Sequence, residues 1–399
     1  MSVDEATNSS ISDTSKPSHR SNQLLAKAGR ALVSAAEKGG LWGAIWRICR
    51  RVTLWLTMTN IIVCVTLWIA ARWIGERNIT TAFLIFCPPL IWLLPTIPIL
   101  GLGLAFHRRC FLVQLGAVIL MAWGWLGYGF QGRGDHDTDR ANTELSVMTY
   151  NRGQHMNQSL QPFKNATRPD LLVFQDAHHR AAGFLTSPDY TEFPQARSIG
   201  EFTVLSRFPI LNSSLVPASA PVRDARAARF EIDWNGHPIS VYAVHLATPR
   251  DVLSSYMRGA FMWGVLGVPG TPGAEKRRHY QTFWDGQIED AEMILAAVRA
   301  DANPCIVVGD FNSPQTGYVH RMITKDLGDA HEEAGRGFGF TFPGVTRNPL
   351  SLGGPWMRLD YVFHDRRWEA VNSITEKDRP SQHRATMATL RFLEKPAKP

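Results

Sequence analysis

The chain has 399 residues, with 42 Lys and Arg against 35 Asp and Glu for a net charge of +7, and 45 % hydrophobic but only 19 % charged residues. That balance excludes low-complexity disorder, which needs low hydrophobicity and dense charge. Five Cys cannot staple a chain of this length into a disulfide scaffold. What remains is two or three units over which apolar residues are very unevenly spread.

Residues 1–20 are polar and rich in Ser and Thr, and they read as a disordered tail. Leu24, Leu25, Ala28, Leu32 and Ala36 then recur at helical intervals among Lys27, Arg30 and Lys38, which fits a short interfacial helix or a solvated helical lead-in. Val52–Ala71, Ile79–Phe106 and Cys110–Gly132 contain no charged residue, and each reaches the roughly 20 residues needed to cross a hydrocarbon core. Three such runs separated by short basic loops predict three transmembrane helices over 52–131. Pro88, Pro89, Pro95 and Pro98 predict a kink or break in the second. The preceding polar and basic segment, 1–51, holds Arg47, Arg50 and Arg51 against the first span, which favours a cytoplasmic N-terminus and an extracytoplasmic domain after residue 131. A re-entrant second run would invert that topology. A cleavable signal peptide does not fit, because about 50 polar and basic residues come first.

Residues 132–144 are charged and aperiodic and read as a linker to a soluble domain over 145–399. Short β-branched runs follow: Leu145–Asn151, Leu171–Gln175, Phe202–Ser206, Arg229–Trp234, Ile239–Leu246, Cys305–Asp310, Leu359–Phe363 and Thr386–Phe392. Asn235-Gly236 between two of them signals a hairpin. Ile288, Ala291, Ile294, Leu295 and Val298 predict a helix over Glu275–Ala300, which Pro304 keeps from running into the next strand. Many strands and few helices predict an α+β domain of packed, mainly antiparallel sheets with helices outside.

Several of these hydrophobic strands stop abruptly in polar residues: Asn151, Gln175-Asp176, His245, and Gly309-Asp310-Phe311-Asn312; Ser381-Gln382-His383 precedes the last strand. A strand end is where a rigid scaffold presents side chains to a cleft. Singly, Asn and Asp there are ordinary turn formers; five such endings with two His and two acids are harder to dismiss. The motifs LSVMTYN, PDLLVFQD, TVLSRFPI, VYAVHL, IVVGDFNSP, RLDYVF and SQHRAT, in this order, resemble the endonuclease/exonuclease/phosphatase superfamily of metal-dependent phosphoesterases over nearly the whole soluble domain.

The resemblance implies a four-layer α/β/β/α sandwich and a divalent cation. Asn151 and Asp176 would hold Mg²⁺ or Mn²⁺, cations that prefer hard oxygen ligands, with Gln382 beside them. Asp310 would orient or deprotonate the attacking water, Asn312 and His245 would bond phosphate oxygens, and His383, its tautomer fixed by Asp360, would donate to the scissile phosphate. This sequence departs from the family in having Asp176 in place of the usual Glu, Gln382 in place of Asp, and Gly153 where many members carry an acid. Those changes predict a less anionic site and weaker metal binding. Arg223, Arg226 and Arg229 lie in a segment placed to meet an anionic head group or to form a solvated charge run. Phe261, Met262, Trp263, Val265 and Leu266 fill a loop after His245 that suits a lipid tail, a bilayer or the membrane domain.

The apolar runs favour a membrane-borne phosphate or pyrophosphate, such as a polyprenyl carrier lipid, as substrate. The three-span layout is similar to that of superfamily members linked to glycopeptide resistance and carrier-lipid dephosphorylation. A surface nuclease or phosphodiesterase is the runner-up and predicts salt-sensitive cleavage of nucleic acid. A catalytically weak phosphate-binding module, suggested by Gln382 and Gly153, predicts binding without turnover.

Overall fold

The computed structural model describes residues 27, 30, 39–88, 90–130, 143–153, 160–218, 224–255, 272–344, 354–377, 379 and 381–393. The polar tail, most of the 21–38 stretch, residues 132–142 of the linker, Arg223, and residues 256–271 of the loop after His245 lie outside them.

The first apolar run belongs to a 34-residue helix, α1 (Gly40–Trp73), which by length and composition is able to cross a membrane. It starts well before Val52 because no helix breaker separates Gly43 from the span, so Arg47, Arg50 and Arg51 are helical too. The second run is broken, as its prolines predict, into α2 (Ile79–Phe86), a short turn of helix and α3 (Thr96–Phe106). Taken together, these pieces are the second candidate crossing. The third run is α-helical only over α4 (Arg108–Leu120), continues as a π-helical turn to Trp125 and ends in a two-residue strand, Gly129–Phe130. It falls short of a third long span, because Gly124, Gly127 and Gly129 crowd its end and Gly127 sits at φ +63.

Two compact units divide the chain. In the first, residues 1–61 with 95–115, the buried Asn60 amide donates to Thr96 Oγ1 at 3.0 Å and to Gln114 Oε1 at 2.9 Å, and the Gln114 amide reaches Thr57 O at 3.4 Å. Such polar pairs inside an apolar assembly hold helices in register.

The second unit, residues 62–94 with 116–399, contains the sandwich. Its strands are β1 (Glu144–Asn151), β2 (Leu171–Gln175), β3 (Gln195–Ile199), β4 (Phe202–Ser206), β5 (Ile210–Leu215), β6 (Ala227–Trp234), β7 (His237–His245), β8 (Cys305–Asp310), β9 (Gly328–Asp329), β10 (Asp360–His364), β11 (Trp368–Thr375) and β12 (Thr386–Phe392). One sheet runs β11-β12-β1-β2-β4-β3 and the other β9-β10-β8-β7-β6-β5. Asn235 and Gly236, both at positive φ, make the expected hairpin between β6 and β7.

Alternate strand residues form the core between the sheets, including Val147, Val173, Val204, Phe230, Val241, Val308 and Leu390. The opposite faces are covered as well. Ala291, Ile294, Leu295 and Val298 of α5 (Pro272–Ala300), with Val319 and Met322 of α6 (Tyr318–Ile323), pack on Tyr242, Val244 and Val307. Phe184 and Tyr190 pack on Met148, Phe174 and Met387. The result is the four-layer α/β/β/α arrangement.

The topology makes one end of this sandwich different from the other. Each sheet has a single parallel pair at its centre, β1 beside β2 and β7 beside β8, while the other pairings are antiparallel. Parallel neighbours end on the same edge, so Asn151 stands opposite Gln175, and His245 opposite Asp310. Antiparallel β10 enters at that edge, placing Asp360 in register with Asp310.

Candidate active site

The polar strand ends converge. Asn151 Nδ2 donates to Asp310 Oδ2 at 2.8 Å and lies 3.4 Å from His245 Nε2. His245 Nε2 is 3.8 Å from Asp310 Oδ2, and His383 Nε2 is 3.6 Å from the same oxygen. On its other side His383 Nδ1 meets Asp360 Oδ2 at 2.9 Å, while the Phe342 ring lies 4.9 Å away and limits the imidazole's rotation. Asp360 is in turn fixed through its backbone, which donates to Thr341 Oγ1 at 3.2 Å.

Two left-handed residues re-aim the chain as the strands end: Asp176 at φ +52 and Asn312 at φ +45, conformations that Asp and Asn tolerate better than most side chains. Asn312 N donates to Asp310 Oδ1 and its amide to Leu246 O, both at 2.8 Å, which locks the Asp310 carboxylate from behind. Gly309 sits at φ +146, and any Cβ there would overlap Val244 O, so only Gly allows β8 to lie this close to β7.

Sequence reasoning missed Glu201. It occupies the turn between β3 and β4, and its Oε2 lies 2.9 Å from His245 Nδ1. Asp176 Oδ1 is 4.0 Å from the same nitrogen. Gly200 at φ +56 marked a turn, but β3 (QARSI) is too polar to have announced the hairpin that carries the acid.

The remaining predicted residues sit at the margins. Gln382 is exposed, and its Oε1 accepts from Arg250 Nη2 at 3.4 Å. Arg226 Nε is 4.0 Å from Asp290, and its carbonyl accepts the His245 backbone N–H. Arg229 belongs to β6 and is bound to Asp301 and Glu231, so it is a structural cation.

Charge explains the electrostatics. Complete burial, then the facing Asp360, raises the Asp310 carboxyl above its ordinary value, against the pull of both imidazoles and Asn151. Burial would lower the two imidazoles, but their acids win. His245 is pushed up to about 9 by Glu201, Asp310 and Asp176, and His383 is raised by Asp360 and Asp310. Burial opposes ionisation of Glu201, yet its bond to His245 holds its carboxyl below the usual range.

This donor set fits a hard divalent cation. Ligand atoms of Asp176, Glu201 and His245 lie within 4.8 Å of one another, as do those of Asp310, Asp360 and His383. Asp360 Oδ1 is buried without a hydrogen-bond partner. Among the described residues, the ion pairs of Asp176, Asp310 and Asp360 are made with His, while Arg226 acts on Glu201 from a distance.

A four-layer sandwich with carboxylates and imidazoles gathered at its parallel strand ends defines a metal-dependent hydrolase. The chain belongs to the Endonuclease/Exonuclease/phosphatase family, which matches residues 151–383, more than half of its length. Similar solved structures include a humanized D. rerio TDP2 at 13 % identity and TM-score 0.44, covering 62 % of this chain and 99 % of that one. A Neisseria 3′ phosphatase, NExo, bound to product DNA hairpin is 12 % identical over 62 % of this chain and 99 % of that one, with TM-score 0.41. A Bacteroides thetaiotaomicron mannosyl-6-phosphatase is 14 % identical over 62 % of this chain and 100 % of that one, with TM-score 0.42. No curated protein matches the chain.

Proposed function

We propose that the protein is a membrane-anchored phosphohydrolase that uses Mg²⁺ or Mn²⁺ to cleave a phosphate or pyrophosphate carried by a membrane lipid. The observation that carries this reading is the convergence of Asn151, His245, Asp310 and His383 on one end of a sandwich that shares its compact unit with apolar helical segments. An enzyme held at a bilayer meets a lipid substrate at high effective concentration, whereas a nuclease gains little from such an anchor.

Asn151 and Asp176 would hold the cation, with Glu201 within reach of the same space and Gln382 at its rim. Bound there, it would offset the charge on the phosphate that repels an incoming nucleophile. Asp310, its carboxylate fixed by Asn312 and Asn151, orients the attacking water and takes its proton. A base works best with a pKa near the working pH, and burial moves Asp310 in that direction. His383 gives its Nδ1–H to Asp360, which with Asp310 favours the imidazolium form, and that form donates Nε2–H to the scissile phosphate. His245, charged at neutral pH and braced by Glu201, and the Asn312 amide bind the non-bridging oxygens.

The test is phosphate release from a polyprenyl pyrophosphate by detergent-solubilised protein, with Mg²⁺ or EDTA, beside Asp310→Ala. Release that requires the cation and disappears in the variant is expected. A folded wild type that releases nothing from the lipid, yet cleaves DNA or RNA, would replace the lipid with nucleic acid.

A further inference from the structure

The turn between α1 and α2 does more than join two helices. Glu76, in the short 3-10 helix Gly75–Arg77, is completely buried within the unit that contains the sandwich. Its carboxylate accepts from Ser313 Oγ, from Tyr318 N at 2.6 Å and from Val319 N at 3.4 Å. Ser313 is the residue after Asn312, and Tyr318 and Val319 open α6. One side chain from the helical anchor thus satisfies three donors of the segment that leaves the strand-end cluster.

The surrounding residues are shaped to this joint. A Cβ at Gly317 would overlap the Glu76 carboxylate, and one at Gly75, which sits at φ +46, would overlap Tyr318 N. The Arg77 guanidinium lies 5.1 Å over the Tyr318 ring. Gln281 accepts from Ile79 N at 2.9 Å and donates to Arg77 O at 3.1 Å, fixing the turn on its other side. A second strut comes from the end of the third apolar run, where Leu126 O accepts from Gln315 Nε2 at 3.2 Å.

We propose that Glu76 is a positioning residue for the active site: the anchor's first turn holds the segment Phe311–Val319 in the conformation that aims Asp310 at the attacking water and Asn312 at the substrate phosphate. The proposal rests on the catalytic reading of those two residues. Without the carboxylate, two backbone N–H groups and a hydroxyl are buried unpaired, each at a cost that favours rearrangement of the segment. Asn312 is one residue from Ser313, and displacements of about 1 Å at a catalytic group are enough to slow turnover strongly.

The experiment uses the full chain in detergent, assayed well below its melting temperature, with hydrogen exchange read over Asp310–Val319. Glu76→Ala is expected to lower kcat by about tenfold or more with KM within about twofold, and to speed exchange at Tyr318 and Val319. Glu76→Gln keeps a carbonyl for the two amides and an NH₂ that donates to Ser313 Oγ, so it should recover kcat to within about threefold of wild type. Ser313→Ala, a milder change that keeps both amide bonds, should lower kcat about threefold and serves if Glu76→Ala does not fold. Wild-type kcat in Glu76→Ala and Ser313→Ala, with only the melting temperature reduced, would overturn the proposal and leave a purely structural joint. If wild type and Asp310→Ala release phosphate equally poorly, the catalytic reading fails by itself. The exchange measurement still decides, since unchanged protection over Asp310–Val319 in Glu76→Ala removes the positioning role.

Discussion

Two clusters of His and Asp lie close together in the second unit, and their contrast defines the site better than their composition does. At the strand ends, Asp310 and Asp360 face each other with His245 and His383 as their cationic partners. Around the junction of β9 and β10, Asp329 accepts from His320 Nε2 at 2.8 Å and from Arg358 Nη1 at 2.6 Å, with Glu332 3.7 Å from His320. Burial would raise Asp329, but Arg358 and His320 hold its carboxyl far below the ordinary range, whereas Asp310 is raised. The second cluster carries its own permanent cation, Arg358. With Asp176 and Glu201 also on His245, the first sets four carboxyl groups against two imidazoles, and an external cation suits that excess. Ligand-like spacing occurs in both; charge compensation separates them.

That distinction breaks most sharply under substitution. Asp310→Asn preserves shape and removes one of two facing carboxylates, but its single oxygen keeps only one of the bonds from Asn312 N and Asn151 Nδ2. It should cost about 10³-fold in turnover, as loss of a central charged group commonly does, while lowering the melting temperature less than loss of a buried ion pair does. Arg358→Met should do the reverse. Stripping the cation from a buried pair costs about 3–5 kcal/mol of stability, while turnover per folded molecule at low temperature stays within about threefold. Thermal melts and kcat on both variants decide it: if Arg358→Met abolishes turnover in folded protein, the second cluster is not merely structural.

Much of this was legible in the sequence, for a physical reason. Strands buried on both faces read as continuous apolar runs, so β1, β2, β7 and β8 stood out, and the polar residues ending them, Asn151, Gln175, His245 and Asp310, stood out with them. The edge strands β3 and β5, QARSI and ILNSSL, have one solvated side and mixed composition, so their periodicity was lost. Glu201 vanished with β3, because an acid in an unrecognised turn has no address. Glu76 was invisible for another reason: its partners lie more than 200 residues away and are mostly backbone N–H groups, which no side-chain pattern reveals. The prolines predicted the broken second run correctly, while the glycines after Leu120 were underweighted in the third.

The Glu201–His245 pair gives a smaller, pH-dependent effect. His245 is raised to about 9 in the folded chain against an unfolded value near 6.5, so its contribution is fully present below about pH 6.5 and is lost as the pH climbs through 9. The shift corresponds to about 3 kcal/mol at most. In EDTA, Glu201→Gln should therefore melt lower than wild type at pH 6, and the gap should close by about pH 10. A gap of constant size across that range would mean that Glu201 acts through packing rather than through the imidazolium charge.

The smallest effect is expected at the rim and tests whether Gln382 belongs to the cation's surroundings. A Gln carbonyl can ligate but brings no charge, so Gln382→Asp adds an anion beside an already acidic site. The side chain is exposed, and water screens what that charge is worth. Arg250, 3.4 Å from Gln382 Oε1, would also compete for the new carboxylate. Calorimetric titration with Mn²⁺ should show affinity rising only about threefold in Gln382→Asp, and by about tenfold once Arg250→Ala removes the competitor. If neither variant changes affinity, Gln382 lies beyond the cation's reach. The carboxylates of Asp176 and Glu201, from neighbouring strand ends, then supply the anionic charge that Gln382 lacks.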